Sequence, residues 1–331
     1  MTKEYFEVFK ELTLHHKRHC KIYSDYVDSL FPAMPLSLKD IPYLPVRAFK
    51  EFDLFSVPES KVFKIMYSSG TAGARSKIFL DKETIKLQSF HLTQSFKSHF
   101  GGSRFPMLII DSESTSKGRT ARTAAVNGFS LYGKKRCFAL NEKMELKVKE
   151  VAEFLEQHKN TKIFIFGFTF ILYQSFINKL QESGITFDFS NAFVLHGGGW
   201  KRLANLNISD SDFKSMIKSS LGCEHVHNYY GMIEQTGSIY FECEYGNLHA
   251  PHNGTALIRN FDSLKVNNYG EKGLIQVFSS IQKSYPGHSL LTEDVGTVYP
   301  ASSCQCGRKG DIIKIHGRLE QAEIRGCSDA V

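Results

Sequence analysis

Apolar residues recur at helical spacing along the first thirty residues of the chain. Phe6 and Phe9 begin the pattern, and the basic cluster His15–His19 interrupts it. Apolar positions three and four residues apart share one face of a helix, so the pattern predicts helix between residues 4 and 30. We interpret the basic cluster as a solvated face of that helix. Four prolines between residues 32 and 45 then indicate an irregular arm.

The middle of the chain alternates between short apolar runs and longer stretches with helical periodicity. Short apolar runs bounded by polar residues or glycine predict strands, and the longer periodic stretches predict helices. Strands are predicted at residues 62–67, 77–80, 105–111, 162–168 and 192–196, and helices at 81–98, 145–158 and 170–182. Strands that alternate with helices predict an α/β fold with a largely parallel sheet.

The pattern changes beyond Tyr229, where short β-rich segments are separated by glycine and asparagine turns. These segments predict a smaller β-rich sub-lobe without a long helix. The sequence therefore divides into an N-terminal arm, an α/β nucleotide-binding sub-lobe, the β-rich sub-lobe and a C-terminal tail, at residues 1–60, 61–228, 229–318 and 319–331.

Composition and charge are those of an ordinary globular enzyme. Of 331 residues 42% are hydrophobic, and the formal net charge is +7. The basic residues are scattered, which argues against nucleic acid as a partner and favours small anions such as ATP. The longest apolar run, residues 163–173, is too short to span a membrane, and the N-terminus lacks a signal-peptide core. We therefore expect a cytoplasmic protein whose seven cysteines are thiols or metal ligands rather than disulfides.

A loop rich in glycine and hydroxyl groups separates two of the predicted strands. Glycine lets backbone N–H groups approach an anion, hydroxyls add donors, and Lys77 adds positive charge, so the loop predicts a phosphate-binding site. Its spacing differs from that of the NTPase P-loop, and an ordinary hairpin turn is the alternative. The candidate ligands are Ser68, Ser69, Gly70, Thr71, Gly73 and Lys77.

Five further motifs follow this Tyr-Ser-Ser-Gly-Thr-Ala-Gly-x-x-x-Lys loop in a fixed order. They are His196–Lys201, Tyr230–Glu234, Leu291–Gly296, Cys304–Arg308 and Gly317–Ser328. Together they resemble the LuxE-type acyl-protein synthetases of the adenylate-forming superfamily, whose near relatives are the phenylacetate-CoA ligases. The resemblance covers roughly residues 60–331. It implies the fold of the superfamily's N-terminal domain and an enzyme that activates a carboxylic acid with ATP.

Three glycines at the end of a predicted strand form a second candidate site. Gly197, Gly198 and Gly199 place bare backbone at the carboxyl end of a strand, where α/β sheets bind ligands. A tight turn between strand and helix is the alternative. The resemblance implies that these glycines border the adenine ring.

The resemblance also implies roles for the Tyr-Gly-x-x-Glu motif. Tyr230, beside Gly231, would stack on adenine, and Glu234 would bind Mg²⁺, an ion that prefers oxygen ligands. Lys77 and Glu234 are therefore candidate catalytic residues.

Two charged residues near the C-terminus complete the expected nucleotide site. By resemblance Asp294 binds the ribose hydroxyls, and Arg318 binds ribose or phosphate, although an arginine alone would more often be a surface cation. Glu293 departs from the usual Thr-Gly-Asp motif. Most adenylate-forming enzymes have a mobile C-terminal domain that contributes a catalytic lysine. LuxE-type proteins do not have it, so the resemblance leads us to expect that this protein works without it. Lys77, Lys201 and Arg318 are the candidate replacements.

Cysteine and histidine side chains form a candidate metal site. Three thiolates and one imidazole suit a closed tetrahedral zinc, which would be structural rather than catalytic. The candidate ligands are Cys243, His249, Cys304 and Cys306. Similar pairs in phenylacetate-CoA ligases favour this set over the competing residues Cys223, His225 and His227, which a core strand would also explain.

Cys327 is the third candidate catalytic residue. It follows Gly326 near the end of the chain, and Arg318 and Arg325 favour its thiolate form. A thiol on a loose arm could accept an acyl group as a thioester, and LuxE-type proteins carry their acyl-accepting cysteine in a similar Arg-Gly-Cys-Ser context. An inert terminal cysteine is the alternative.

These features predict an ATP-dependent acyl-protein synthetase. It would convert a fatty or other carboxylic acid to acyl-AMP, hold the acyl group on Cys327 and deliver it to a reductase or acyltransferase partner. An acyl- or aryl-CoA ligase of the phenylacetate type is one alternative. A non-catalytic nucleotide-binding subunit is the other.

Overall fold

The computed structural model describes residues 3–68, 75–102, 104–198, 206 and 208–319. These residues form two compact units. The first unit contains residues 3–68, 75–95 and 231–319, and the second contains the described residues between 96 and 230. The division into four segments that the sequence suggests stays a prediction.

Helices and strands occupy most of the described chain. The helices are α1 (Lys3–His19), α2 (Lys21–Leu30), α3 (Ala48–Glu51), α4 (Lys82–Phe100), α5 (Ala121–Phe129), α6 (Val148–His158), α7 (Thr169–Ile171), α8 (Asn178–Ser183) and α9 (Asp210–Leu221), and a π-helical segment, Leu172–Ile177, joins α7 to α8. The strands are β1 (Leu44–Pro45), β2 (Lys64–Tyr67), β3 (Lys77–Leu80), β4 (Phe105–Ile110), β5 (Gly133–Phe138), β6 (Ile163–Phe168), β7 (Ala192–Gly197), β8 (His225–Tyr230), β9 (Tyr240–Glu242), β10 (Leu248–His249), β11 (Gly254–Arg259), β12 (Gly273–Ser279), β13 (Ser289–Tyr299) and β14 (Ile312–Arg318).

The second unit is built on a parallel sheet in the order β5-β4-β6-β7-β8. Every residue of β6 and β7 is buried. A strand covered on both faces is mostly apolar, which explains why the sequence shows β6 as an unbroken apolar run and β7 as an apolar run up to Leu195. The predicted α/β fold is therefore confirmed.

The first unit contains an antiparallel sheet in the order β11-β12-β13-β14-β10-β9. The short strand β1 adds to β13 in parallel. A separate hairpin pairs β2 with β3. After β3, the Asp81 carboxylate accepts a hydrogen bond from the Thr84 amide (2.8 Å) and so caps the start of α4.

The basic cluster of α1 is not entirely solvated, so that interpretation is wrong for His16. Its side chain is fully buried, and its imidazole lies 2.7 Å from Ser56 Oγ and 3.0 Å from the Gln282 carbonyl oxygen. The ring also stacks on His288, with 4.9 Å between ring centroids. These partners lie far from His16 in the sequence, so the local pattern could not reveal them. In the described ranges no helix is long and apolar enough to cross a membrane.

Candidate functional site

The β2–β3 hairpin holds both ends of the predicted phosphate loop. Tyr67 pairs with Lys77 in the ladder, and the Ser68 amide donates to the Ser76 carbonyl oxygen (3.0 Å). The Ser76 amide in turn donates to Ser68 Oγ (2.9 Å), which closes the base of the loop and leaves the hydroxyl proton of Ser68 available for another acceptor. The remaining candidate ligands Ser69, Gly70, Thr71 and Gly73 lie outside the described residues.

Lys77 is ion-paired at the start of β3. Its Nζ lies 2.8 Å from Asp53 Oδ1, and both side chains are about half exposed. The hydrogen bond and the charge of Asp53 raise the pKa of Lys77, so the ammonium form is favoured. Asp53 belongs to the irregular arm, and no sequence pattern connects it to the loop.

The glycines at the end of β7 differ in why glycine is needed. An added Cβ at Gly197 would lie 2.6 Å from Cε1 of the Tyr229 ring and 2.8 Å from the Tyr229 carbonyl oxygen, so glycine is required for strand packing. Gly198 has a φ of 70°, a conformation that favours glycine. Gly199 and Lys201 lie outside the described residues. That these glycines border the adenine ring stays a prediction.

The Tyr-Gly-x-x-Glu motif spans the end of a strand and a short helix. Tyr230 is the last residue of β8, and Glu234 lies in a single 3₁₀ turn, Ile233–Gln235. Glu234 is 3% exposed, and its carbonyl oxygen accepts a hydrogen bond from the buried Tyr285 hydroxyl (3.0 Å). Gly231 packs closely under Ile239, where an added Cβ would lie 2.6 Å from Cδ1. The main chain at Glu234 is therefore firmly held.

Asp294 and Arg318 are direct neighbours across the β13–β14 ladder. Arg318 Nε lies 3.0 Å from Asp294 Oδ1, and Arg318 Nη2 lies 3.0 Å from Glu293 Oε2. The other carboxylate oxygen of Glu293 faces Arg47 Nε at 3.6 Å. The glutamate that departs from the usual Thr-Gly-Asp motif thus has two arginines beside it, and neither contact was foreseen from the sequence.

Four cysteine and histidine side chains converge at the β9, β10 and β14 side of the antiparallel sheet. Their ligand atoms all lie within 4.8 Å of one another. Cys243 Sγ is 3.7 Å from Cys304 Sγ, and Cys306 Sγ is 3.2 Å from His249 Nε2. Three of the four side chains are buried, and the spacing of the donors fits a tetrahedral zinc.

Neighbouring groups orient this cluster. His249 Nδ1 lies 2.8 Å from the Gly310 carbonyl oxygen, so this nitrogen carries the proton and Nε2 is left as the metal-binding atom. The Asn247 side-chain amide lies 3.2 Å from Cys304 Sγ. Burial opposes ionisation of Cys304, but hydrogen bonds, first from the Cys306 backbone, outweigh it and lower its pKa to about 6. A thiolate, the form that binds metal, is favoured.

The competing cysteine and histidine set is not gathered in this way. Cys223 is buried, and its thiol lies 3.3 Å from the Ala192 carbonyl oxygen. His225 is exposed at the start of β8. Cys327, the candidate acyl acceptor, lies outside the described residues.

Comparison with known proteins identifies the family of this chain. The model of the family described as "Acyl-protein synthetase, LuxE" matches residues 4–331. The chain belongs to the LuxE acyl-protein synthetase family. Its relatives include the long-chain-fatty-acid--luciferin-component ligases of Aliivibrio fischeri, 22% identical over 88% of this chain and 78% of the relative, and of Vibrio harveyi, 20% identical over 88% and 77%.

The fold of this LuxE family member is also that of adenylate-forming ligases. A 2-hydroxyisobutyryl-CoA ligase in complex with its acyl-AMP and CoA superposes with a TM-score of 0.74, over 96% of this chain and 75% of the ligase, at 14% identity. The resemblance noted in the sequence is confirmed, and the protein is an ATP-dependent, AMP-forming ligase that activates an acid. At this level of identity the structural match shows the fold alone.

Proposed function

We propose that the protein activates a fatty acid as acyl-AMP and then transfers the acyl group to its own Cys327. The family match over residues 4–331 is the observation that carries this proposal. The names of the two bacterial relatives support a long-chain fatty acid as the substrate. A reductase or acyltransferase would then consume the thioester.

The chemistry takes place in two steps. A carboxylate oxygen of the fatty acid attacks the α-phosphorus of ATP, the bond to the β-phosphate breaks, and pyrophosphate leaves. The Cys327 thiol then loses its proton to solvent, the thiolate attacks the acyl carbon, and the bond to AMP breaks, so that AMP leaves. Each step brings two anionic groups together, so the protein must neutralise and orient them.

The residues of the first unit fit this task. Ser68 and Lys77 hold the ends of a loop suited to phosphates, and Asp294 presents a carboxylate that suits ribose hydroxyls beside the cation Arg318. The buried Glu234 carboxylate is the proposed ligand of Mg²⁺, which would neutralise phosphate charge when bound. Cys243, His249, Cys304 and Cys306 would hold a structural Zn²⁺.

Intact-protein mass spectrometry tests the proposal. The protein is incubated with ATP, Mg²⁺ and a series of fatty acids, alongside Cys327→Ser and the matched control Cys137→Ser, a half-buried cysteine of the second unit. We expect an ATP-dependent acyl mass in the wild type and the control that is absent in Cys327→Ser. An adduct that persists in Cys327→Ser, or an absence of any adduct, would contradict transfer to this residue.

A CoA ligase is the second candidate, because the structural match is to a ligase that carries CoA. It predicts that AMP formation requires CoA and yields acyl-CoA with no protein adduct. Adding CoA to the same incubations separates the two candidates.

A further inference from the structure

The chain between β12 and β13, residues 280–288, forms a mostly buried loop that is bonded to three other segments of the first unit. Ser284, at its centre, is fully buried. Its carbonyl oxygen accepts a hydrogen bond from the Ser56 amide (2.7 Å), and its hydroxyl donates to the Phe79 carbonyl oxygen in β3 (2.8 Å). Its amide donates to Thr84 Oγ1 in α4 (3.2 Å). The β12–β13 loop is therefore fixed at this residue.

The fixed loop holds the short turn that carries Glu234. The Tyr285 hydroxyl donates to the Glu234 carbonyl oxygen (3.0 Å). Gln235, the next residue of the turn, donates from Nε2 to the carbonyl oxygens of Gly287 (2.9 Å) and Val277 (3.2 Å). An added Cβ at Gly287 would lie 2.8 Å from the Glu234 carbonyl oxygen, so glycine permits the close approach. A single 3₁₀ turn has few backbone hydrogen bonds of its own, and these contacts determine where Glu234 lies.

Tyr285 is itself well held as a donor. Its side chain is fully buried, and its ring packs edge-on against Phe49, with 5.9 Å between ring centroids. Burial raises the pKa of Tyr285, so the hydroxyl keeps the proton that it donates. Loss of this hydroxyl would remove a donor from a buried carbonyl, which favours a shift of the turn. No step of the proposed reaction uses Tyr285.

We infer that Tyr285 is a positioning residue that fixes Glu234 for the binding of Mg²⁺ together with ATP. This inference rests on the proposed function, in which the Glu234 carboxylate is a ligand of Mg²⁺. The ion demands near-ideal octahedral geometry and is bound through one or two carboxylates beside the phosphates of the substrate. Groups behind a metal ligand orient it and so influence metal affinity. A carboxylate on a short turn depends on such support.

Binding of an ATP analogue tests the inference without turnover. The analogue carries a methylene group between the α- and β-phosphorus, so it cannot release pyrophosphate, and calorimetric titration gives its Kd with Mg²⁺ and in magnesium-free buffer. In Tyr285→Phe we expect the Kd with Mg²⁺ to rise about three- to tenfold, the range expected for loss of one neutral hydrogen bond. The magnesium-free Kd should change by less than about twofold. Glu234→Gln gives the loss expected when the ligand itself is removed.

Two further variants separate positioning from general stability. Tyr240→Phe is the matched control, because Tyr240 is also a buried tyrosine of the first unit and donates to the Thr255 carbonyl oxygen (2.8 Å). It should keep the wild-type Kd with Mg²⁺. Gln235→Met keeps the approximate size of the side chain and loses both donated hydrogen bonds of the turn, so it replaces Tyr285→Phe if that variant fails to fold. Thermal unfolding shows that each variant is folded at the titration temperature.

The outcomes distinguish the positioning role from the proposed function. A loss of affinity that requires Mg²⁺ in Tyr285→Phe or Gln235→Met, and is absent in Tyr240→Phe, would support the role. A wild-type Kd in both turn variants, or an equal loss in Tyr240→Phe, would overturn it while a loss in Glu234→Gln keeps the metal assignment. If Mg²⁺ does not tighten binding to the wild type, the assignment of Glu234 fails and the positioning role fails with it. Transfer to Cys327 is judged separately, by its acyl adduct.

Discussion

Two polar clusters lie toward opposite ends of β14 and differ in how far they exclude solvent. The cysteine and histidine cluster precedes β14, and its members Cys243 and His249 are 2% and 5% exposed. The acidic and arginine cluster lies at the end of β14, where the Arg318 side chain is 24% exposed. Converging donors closed from water suit a bound ion that stabilises the fold, whereas open charges suit a ligand that comes and goes.

The cysteine and histidine cluster is called the closed cluster below. Removing one of its thiols should have the largest effect on the unfolding free energy. We expect Cys304→Ala to lose bound zinc and more than about 3 kcal/mol of unfolding free energy, because metal binding contributes directly to folding. Plasma mass spectrometry for zinc and thermal unfolding measure both. The control is Cys20→Ala, a buried cysteine outside the cluster, which should keep its zinc and lose about 1 kcal/mol. Full zinc content in Cys304→Ala would show that the cluster does not hold the metal.

The acidic and arginine cluster at the end of β14 is called the open cluster below. A substitution there should weaken ligand binding rather than folding stability. We expect Asp294→Asn to raise the KM for ATP by about 10–100-fold, since a hydrogen bond to a charged group contributes about 1.5–3 kcal/mol. Steady-state kinetics over a range of ATP concentrations measure this. Zinc content should stay at the wild-type value, and the exposed-pair control Asp25→Asn should behave as wild type. An unchanged KM would remove Asp294 from the nucleotide site.

A third cluster, formed by the stacked rings of His16 and His288, is fully buried. His288 Nε2 lies 2.9 Å from Thr13 Oγ1, and burial, followed by the charge of His15, lowers the pKa of His288 to about 3. Burial also lowers the pKa of His16, with a further contribution from His288. Both rings are therefore neutral in the folded protein at mildly acidic pH.

This cluster should make the protein sensitive to acid. Between the unfolded pKa of about 6.5 and the lower folded value, the unfolded state binds more protons, so stability falls as pH falls by up to about 1.4 kcal/mol per pH unit for each histidine. Denaturant unfolding at pH 7.0, 6.0 and 5.0 measures the slope. His288→Gln should have a shallower slope, and the exposed His225→Gln an unchanged one. Equal slopes in all three proteins would argue against the stack as the source.

The smallest effect on the unfolding free energy is expected at the ion pair between Asp53 and Lys77. Asp53 and Lys77 are both about half exposed, and exposed ion pairs contribute about 0–1 kcal/mol. Asp53→Asn should therefore leave the unfolding free energy close to that of the wild type. Denaturant unfolding beside wild type measures it, and a loss well above 1 kcal/mol would place this pair with the closed clusters.

The sequence predicted those parts of the fold in which local pattern and final environment agree. The strand β6 is an unbroken apolar run, and it is buried throughout. Several elements were missed, among them β5, α5 and β13. The strand β5 carries three exposed residues in succession, Lys134–Arg136, α5 contains a glycine, and β13 has Glu293 and Asp294 at its centre. In β13 two carboxylates are tolerated because Arg318 on the next strand pairs with them, a partner that local pattern cannot show.

The candidate site could likewise be predicted only in part, because local sequence pattern does not show which distant residues become partners. The four members of the cysteine and histidine cluster could be predicted from residue type, because binding a metal such as zinc is one of the few roles that thiol and imidazole groups share. Sequence could not show that His249 Nδ1 is held by Gly310, that Asp53 pairs with Lys77, or that His16 is buried. Each of these depends on a contact between segments distant in the chain.

The pairing register of β14 fixes the position of Arg318 relative to the cysteine and histidine cluster. Ile312 pairs with Tyr299 at one end of the strand and Arg318 pairs with Asp294 at the other. Because side chains alternate between faces, deleting one residue within the strand would turn Arg318 to the opposite face while leaving the candidate metal ligands Cys304 and Cys306 before it in place. Insertions and deletions among natural homologues should therefore be common in the surface turns and excluded from this strand.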